Sequence, residues 1–226
     1  MRGLDDEQII KAWERCHGVL EPARALVPLE MSMPEKSTEC LLALPLHERN
    51  TLLLSVRART FGRWIDASSA CPACGEQLEF RADTDRLIEE LEKGQRPSGS
   101  MRHVNTSDLL ACLEAKDDDE ARAILIGRSL GRGDGKAESF TQEMADDFDA
   151  KNVSAEIGIE IECEACSTFS VLDLDIGRFF SKELGLAARR LLHEVQALAE
   201  AFGWSERSIL GMSPMRRTAY LELLGA

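Results

Sequence analysis

Four of the seven cysteines in this 226-residue chain form two Cys-x-x-Cys pairs, Cys71 with Cys74 and Cys163 with Cys166. A Cys-x-x-Cys turn between two strands places its sulfurs about 3.5–4 Å apart, which fits two corners of a zinc tetrahedron with Zn–S bonds of about 2.3 Å. We therefore predict one Zn²⁺ per chain, held by all four sulfurs. Because four thiolates leave no ligand position for water, this ion would be structural rather than catalytic.

Other interpretations of the cysteine pairs are a redox-active pair, a site that has lost its metal, and two unrelated thiol pairs. A thioredoxin-like redox pair opens a helix in a βαβ unit, whereas both pairs here lie between strand patterns. A disulfide framework is disfavoured, since the cysteine count is odd and the start of the sequence, MRGLDDEQIIKAW, is no export signal. Cys16 and Cys112 fit helical patterns and are predicted to be small core residues.

The two cysteine pairs lie in segments that resemble each other at an offset of 92 residues, 63–88 and 155–180. Each segment reads strand, Cys-x-x-Cys turn, strand, aspartate, helix. Asp83 and Asp175 are predicted N-caps, because a carboxylate accepts hydrogen bonds from the free N–H groups of a first helical turn. The repeat predicts two β-hairpins that can pair across any length of intervening chain. The second turn lacks the proline and glycine of the first, so we expect it to be looser.

Composition predicts a globular protein with a mostly aliphatic core, since 44% of residues are apolar and only 5% aromatic. No apolar run approaches the roughly 18 residues of a membrane helix, so we expect a soluble, cytoplasmic protein with no membrane contact. The net charge of −13 disfavours binding to nucleic acid. Acidic side chains outnumber basic ones two to one over residues 76–162, whereas residues 186–226 carry no net negative charge.

Apolar periodicity and capping residues predict helices over 4–17, near 22–31 and over 46–60, the last ending at Gly62. In the acidic middle of the chain, Ser107 is predicted to cap a helix over 108–115. Further helices are expected to begin at Asp117, which starts a solvated charge run, and at Thr141. The segments GQRPSGS (94–100) and GRGDGK (131–136) are predicted to be a loop and a turn.

The end of the chain is predicted to be helical, with an apolar stripe facing the core that consists of Leu191, Val195, Leu198 and Phe202. Ser205 is expected to cap a short helix, and Ser213-Pro214 to open a last helix over 214–224.

The predicted class is α+β, a zinc-ribbon-like pair of β-hairpins with N- and C-terminal helices and an inserted acidic helical lobe. The predicted segments are an N-terminal helical one, the hairpin core, the acidic insertion and a C-terminal helical one, at 1–62, 63–83 with 155–176, 84–154, and 177–226.

No catalytic constellation is evident, and the four histidines fall in separate elements; His47 and His193 are expected to be solvated. Two non-enzymatic functions remain from the residues alone. One is an interaction protein whose helices dock on partners. The other is a nucleic-acid-binding regulator, because residues 191–210 have the rhythm of helix, short turn and second helix. The candidate recognition helix, 206–210, is short and carries one arginine, which disfavours the second function.

Several motifs together resemble the baseplate proteins of T-even-like contractile phage tails and their relatives in phage-tail-like contractile injection systems. The motifs cover most of the chain outside about 94–155. They are Ala12-Trp13-Glu14-Arg15, Pro22-Ala23-Arg24-Ala25-Leu26, Leu44-Pro45-Leu46-His47-Glu48-Arg49-Asn50-Thr51-Leu52-Leu53, Phe61-Gly62, Cys71-Pro72-Ala73-Cys74-Gly75-Glu76, Asp175-Ile176, Phe179-Phe180, Arg189-Arg190-Leu191-Leu192-His193-Glu194-Val195, Phe202-Gly203-Trp204-Ser205, Ile209-Leu210, Arg216-Arg217 and Tyr220-Leu221.

The resemblance implies a non-enzymatic structural or assembly component of a tail baseplate or hub, made in the cytoplasm and with other baseplate proteins as partners. It implies no small-molecule substrate. We predict the partner surface on the C-terminal helices, because arginine and aromatic residues are enriched at interface hot spots. Its candidate residues are Arg189, His193, Arg216, Arg217 and Tyr220. An alternative is that the arginines pair with the acidic insertion within the chain.

Overall fold

The computed structural model describes residues 1–93, 101–132 and 140–225. Over these residues the protein mixes helices with two small antiparallel sheets, each a single β-hairpin. Helices precede the first hairpin, lie between the two hairpins and follow the second. The predicted α+β class is therefore confirmed.

The elements up to the second strand lie within residues 1–83. They are α1 (Asp6–His17), α2 (Glu21–Arg24), α3 (Leu26–Ser32), α4 (Thr38–Leu42), α5 (Leu46–Phe61), β1 (Trp64–Ala70) and β2 (Gln77–Asp83).

The remaining elements comprise the helices between the hairpins, the second hairpin and the C-terminal helices. They are α6 (Thr84–Lys93), α7 (Thr106–Ala111), α8 (Asp118–Ser129), α9 (Gln142–Asn152), β3 (Gly158–Glu162), β4 (Phe169–Asp173), α10 (Ile176–Phe202), α11 (Glu206–Leu210) and α12 (Pro214–Leu224).

The two hairpins have the same register, which confirms the internal repeat. In the first hairpin Asp66 pairs with Arg81 and Ala70 with Gln77. Adding 92 to each number gives the pairs Gly158 with Asp173 and Glu162 with Phe169, which are the observed partners in the second hairpin. The repeat extends into the helices, because α6 and α10 begin at equivalent positions.

The main hydrophobic core lies where α1, α3, α5 and α10 pack together beside the roots of the hairpins. Its fully buried side chains are mostly aliphatic, as composition predicts; Phe180 is the largest of them. The guanidinium of Arg57 on α5 is also buried here. It donates two hydrogen bonds to Glu183 on α10, at 2.9 and 2.6 Å, and one each to the carbonyls of Gly62 and Trp64. Arg57 thus joins the long helix α10 to the start of the first hairpin.

Local capping residues fix most helix boundaries as predicted. Asp175 accepts a hydrogen bond from the backbone N–H of Arg178 and caps α10, and Ser213 caps α12 in the same way. Gly62 ends α5 with a φ of 100°. The helix expected near 22–31 is divided into α2 and α3, which meet at Ala25.

One predicted cap in the insertion is wrong. The helix α7 begins at Thr106 and is capped by Asn105, not by Ser107. Asn105 accepts from the backbone N–H of Asp108, and the Asp108 carboxylate accepts in return from the N–H of Asn105. Because this capping box satisfies two N–H groups at once, it places the helix start two residues earlier than a serine cap would.

The insertion has a small hydrophobic cluster of its own, separate from the main core, with Met101, Val104, Ile126 and Phe148 at its centre. The Asp108 carboxylate in the insertion is fully buried and accepts hydrogen bonds from Arg102 and Arg128. The segment 94–100 and most of 131–136 lie outside the described residues. The limits of the insertion as a domain stay a prediction.

His47 is a second correction, since it is buried rather than solvated. Its ring lies edge-on to that of His103 from the insertion, with 4.6 Å between the ring centroids. Burial lowers the pKa of both imidazoles, so the neutral forms are favoured. The contact joins the start of α5 to the insertion.

None of the helices within the described ranges is both long enough and apolar enough to cross a membrane.

Candidate metal centre

The turn at the tip of the first hairpin, residues 71–76, is here named the first knuckle. The backbone N–H of Cys71 donates to the carbonyl of Glu76 at 2.7 Å, and that of Gly75 donates to the carbonyl of Cys71 at 2.9 Å. Gly75 has a φ of 78°, a left-handed conformation in which glycine has no steric penalty. This turn brings the two cysteines of the pair to one end of the hairpin.

The second knuckle, residues 163–168, has the same hydrogen bonds at positions 92 residues later. The N–H of Cys163 donates to the carbonyl of Thr168 at 3.0 Å, and that of Ser167 donates to the carbonyl of Cys163 at 2.7 Å. Ser167 has a φ of 54° and is the one non-glycine residue with positive φ in the described part of the chain. The turn is as tightly bonded as the first, so the expected looser geometry is not observed.

The two knuckles face each other and bring four sulfurs together. The Sγ atoms of Cys71 and Cys166 are 3.8 Å apart, and those of Cys74 and Cys163 are 3.7 Å apart. All four sulfurs lie within 4.8 Å of one another. A tetrahedron with metal–sulfur bonds of about 2.3 Å has edges of about 3.8 Å. The spacing is therefore that of a four-thiolate metal site.

Burial differs within each pair in the same way. Cys71 and Cys163, the first cysteines of the knuckles, are buried, whereas Cys74 and Cys166 are exposed. The four-cysteine cluster thus lies at the hairpin tips, with one cysteine of each pair exposed to solvent.

Hydrogen bonds to the sulfurs favour the thiolate form at two of the four positions. The backbone N–H groups of Cys74 and Ala73 lower the pKa of the Cys71 thiol. The Thr168 hydroxyl, 3.3 Å from the sulfur, and the Thr168 N–H lower the pKa of Cys166 to about 6. Thr168 was not among the predicted site residues. The only sequence signal for it is that it aligns with Glu76 of the first knuckle in the internal repeat.

Cys74 has the opposite shift. The backbone N–H of Glu76 lowers its pKa, but the neighbouring sulfurs, Cys166 first, and desolvation outweigh that hydrogen bond and raise the pKa to about 12. Several negative sulfurs so close together repel one another, and a cation between them would remove that repulsion.

One of the five candidate partner residues, Arg217, is not exposed. Arg189 and His193 are exposed on α10, and Arg216 is exposed on α12 with its guanidinium carbon 5.8 Å from the Tyr220 ring centroid. Arg217 is buried, so the structure contradicts its placement at a surface. It donates to Glu194 at 2.9 Å and to Asp6 at 2.6 Å. These carboxylates lie on α10 and α1, not in the acidic insertion.

Phe202 is a further correction, since its side chain is 39% exposed rather than in the core. Its ring stacks on Trp204 at 4.5 Å between centroids, and both rings contact Tyr220 edge-on. The 27-residue helix α10 extends beyond the main core, and its last turn is covered by this aromatic cluster instead. The sequence analysis did not predict that Trp204 forms a cluster with Phe202 and Tyr220, although three aromatic residues near two helix ends were a signal.

Comparison with known families gives one match. Residues 29–103 match the model of the T4 bacteriophage base plate protein family, and this match supports a T4-like phage baseplate protein. It covers about a third of the chain and includes α5 and the first knuckle, but it ends before the second knuckle. No curated protein and no solved structure matches the chain significantly.

The family match points to a structural component of a phage particle that interacts with other baseplate proteins, and it suggests a non-enzymatic role.

Proposed function

We propose that this protein is a non-enzymatic structural or assembly component of a contractile phage-tail-like baseplate, and that one structural Zn²⁺ joins its two hairpins. The observation that carries the proposal is the family match over residues 29–103, which includes half of the four-cysteine cluster. Contractile injection systems are the wider group of particles to which the proposal extends. The protein would be made in the cytoplasm and be incorporated into the particle or act on its assembly.

The chemistry of the donor set supports zinc as the ion. Soft thiolate ligands in a tetrahedral arrangement suit zinc or iron–sulfur chemistry, whereas hard cations prefer oxygen. A site built from two peptide turns with four sulfurs within 4.8 Å holds one ion in the manner of a zinc ribbon. Cys71, Cys74, Cys163 and Cys166 would be its ligands.

A structural ion has a clear physical role at this position. Each hairpin forms a separate two-stranded sheet, and an isolated two-stranded hairpin is marginally stable in water. The first hairpin ends in exposed residues such as Cys74, and the second exposes Phe169 and Val171. Metal binding would supply stability that buried side chains do not provide here.

Metal analysis of purified protein tests the shared site. We expect one zinc per chain in the wild type and in Cys40→Ser, a control that removes an exposed cysteine outside the cluster. Cys71→Ser and Cys163→Ser should each lose the zinc, although the two residues lie in different hairpins. Full zinc content in both variants would contradict the shared site, and stoichiometric iron in place of zinc would contradict the identity of the ion.

Particle assembly tests the role. Deletion of the gene should leave particles without a complete baseplate, and expression of the wild type in trans should restore them. Electron microscopy of particles and mass spectrometry of purified intermediates measure the two outcomes. Normal particles after deletion, in a producing strain, would refute the proposed role whatever the metal content.

A further inference from the structure

A groove of about 590 Å³ lies between α1, α2 and α10, and none of the four clustered cysteines lines it. We name it the α1–α10 groove. Trp13 lines it from α1 and Gly185 from α10. A Cβ atom on Gly185 would lie 3.5 Å from Cδ1 of Trp13, which is ordinary van der Waals contact. The fold would therefore accept alanine at 185.

The local geometry does not require a glycine at position 185. Gly185 lies inside the 27-residue helix α10, where glycine is about 1 kcal/mol less favourable than alanine. Neither a positive φ nor a close backbone approach requires it, because the nearest heavy atoms belong to the Trp13 side chain. The absence of a side chain keeps the edge of the Trp13 indole accessible from the groove.

The groove has a charge opposite to that of the chain. The protein has a net charge of −13, yet the charged groups that line the groove are Arg24, Arg178, Lys182 and Arg189 with one carboxylate, Glu21. Glu21 is already engaged, 3.5 Å from Arg24 and 3.9 Å from Arg178. Lys182 and Arg189 have no ion pair or hydrogen bond from their side chains within the described ranges.

An exposed leucine lies between Lys182 and Arg189 on α10. Leu186 is 69% exposed, and it stands four residues after Lys182 and three before Arg189. Residues at these spacings share one face of a helix. This face of α10 therefore presents a leucine flanked by two positive charges that have no partner among the described residues, next to the open space over Gly185.

We propose that the α1–α10 groove binds an acidic segment of a protein partner, which places an apolar side chain against Trp13 and Leu186 and carboxylates beside Lys182 and Arg189. The inference rests on the proposed role in baseplate assembly and identifies the surface that serves it. The partner is a protein rather than a nucleic acid, because the contact surface includes an exposed leucine and an indole edge.

Site-specific photocrosslinking in particle-producing cells tests the groove. The photoreactive residue p-benzoylphenylalanine replaces Leu186, and in a control it replaces Leu113, an exposed leucine of the insertion. Mass spectrometry identifies the crosslinked peptide. We expect position 186 to crosslink a net-acidic segment of another baseplate protein.

Two variants, each combined with the photoreactive residue at position 186, check the recognition chemistry. Lys182→Glu should reduce the crosslink yield about tenfold, because it reverses a charge that attracts the segment. Gly185→Leu fills the space without a change of charge and should reduce the yield equally. The matched control is Lys36→Glu, which makes the same charge change at an exposed lysine outside the groove. Circular dichroism and thermal unfolding show whether each variant is folded.

The outcomes separate the groove from the proposed function. A crosslink to a basic segment, to a second copy of this chain or to nucleic acid would overturn the groove proposal, as would an unchanged yield in Lys182→Glu. The groove also fails if position 186 gives no crosslink, whether or not position 113 gives one. If deletion of the gene leaves normal particles but position 186 still captures an acidic segment in a charge-dependent manner, the groove stands and the baseplate role fails.

Discussion

Replacement of Arg57 by methionine should destabilise the protein strongly without any change at the cysteines. Arg57 is only 3% exposed, and its guanidinium donates four hydrogen bonds that join α5, α10 and the start of the first hairpin. Methionine preserves much of the apolar stem of the side chain. The variant therefore removes the charge and the donors while it leaves most of the packing in place.

The magnitude follows from what the substitution leaves behind. Glu183 would be a carboxylate without its partner, and the carbonyls of Gly62 and Trp64 would each lose a donor. Breaking a buried ion pair costs about 3–5 kcal/mol. Because the side chain of Glu183 is 22% exposed, water can solvate part of its charge, and we expect a loss of about 4 kcal/mol once the two carbonyls are included. Domains of this size are stable by about 5–15 kcal/mol, so the loss is large.

Urea unfolding followed by circular dichroism measures the loss. The control is Arg59→Met on the same helix, since Arg59 is exposed and donates one bond to the carbonyl of Ser55; it should change the free energy of unfolding by less than about 0.5 kcal/mol. The double variant Arg57→Met with Glu183→Leu should recover about 2 kcal/mol, because no buried charge remains unpaired. Equal stabilities for Arg57→Met and Arg59→Met, or no recovery in the double variant, would refute this reasoning.

Three further predictions concern single residues. Ser167→Gly should stabilise the second knuckle by about 1 kcal/mol, measured by thermal unfolding, because Ser167 has a positive φ; Gly75→Ser should destabilise the first. Burial alone would raise the pKa of Asp108, but the hydrogen bonds from the two arginines outweigh burial. The pKa is therefore below its ordinary value of about 3.9. The ion pairs thus stabilise the fold above about pH 4, and this stabilisation is lost as the pH falls below that value. Asp108→Asn should therefore lower the free energy of unfolding by about 3 kcal/mol at neutral pH and make that free energy less dependent on pH in acid. Equal acid sensitivity of the variant and the wild type would contradict this. Arg217→Glu should lower the melting temperature by many degrees, because it places a third carboxylate beside Asp6 and Glu194, whereas Arg216→Glu should leave it nearly unchanged.

Features determined by local sequence could be predicted. The cysteine cluster follows from two copies of one short pattern, and each hairpin forms within its own copy. The caps of α10 and α12 could be predicted because Asp175 and Ser213 bond N–H groups three residues away. The capping box at Asn105 was equally local but was overlooked in favour of Ser107.

The burial of Arg57 and Arg217 could not be predicted, because their partners are distant in the chain. Arg57 is 126 residues from Glu183, and Arg217 is 211 residues from Asp6. A single sequence without these contacts places an arginine on the surface by default. The burial of His47 is of the same kind, since its contact is His103 of the insertion. Long-range pairing decides the burial of these three side chains, whereas the buried Asp108 has partners within 20 residues of it.

The shared register of the two hairpins has a consequence for how this chain can vary in length. The hairpins meet at their tips although 88 residues separate Cys74 from Cys163. The entropy lost on closing a loop grows only logarithmically, so a doubling of the intervening chain costs about 0.6 kcal/mol. Many residues between the two hairpins pack around the small hydrophobic cluster of the insertion. The insertion contacts α5 through backbone hydrogen bonds, such as the one that the N–H of Leu46 donates to the carbonyl of Val104. We expect the middle of the chain to be the place where related proteins gain or lose whole segments. An engineered insertion there should leave the spacing of the four sulfurs unchanged.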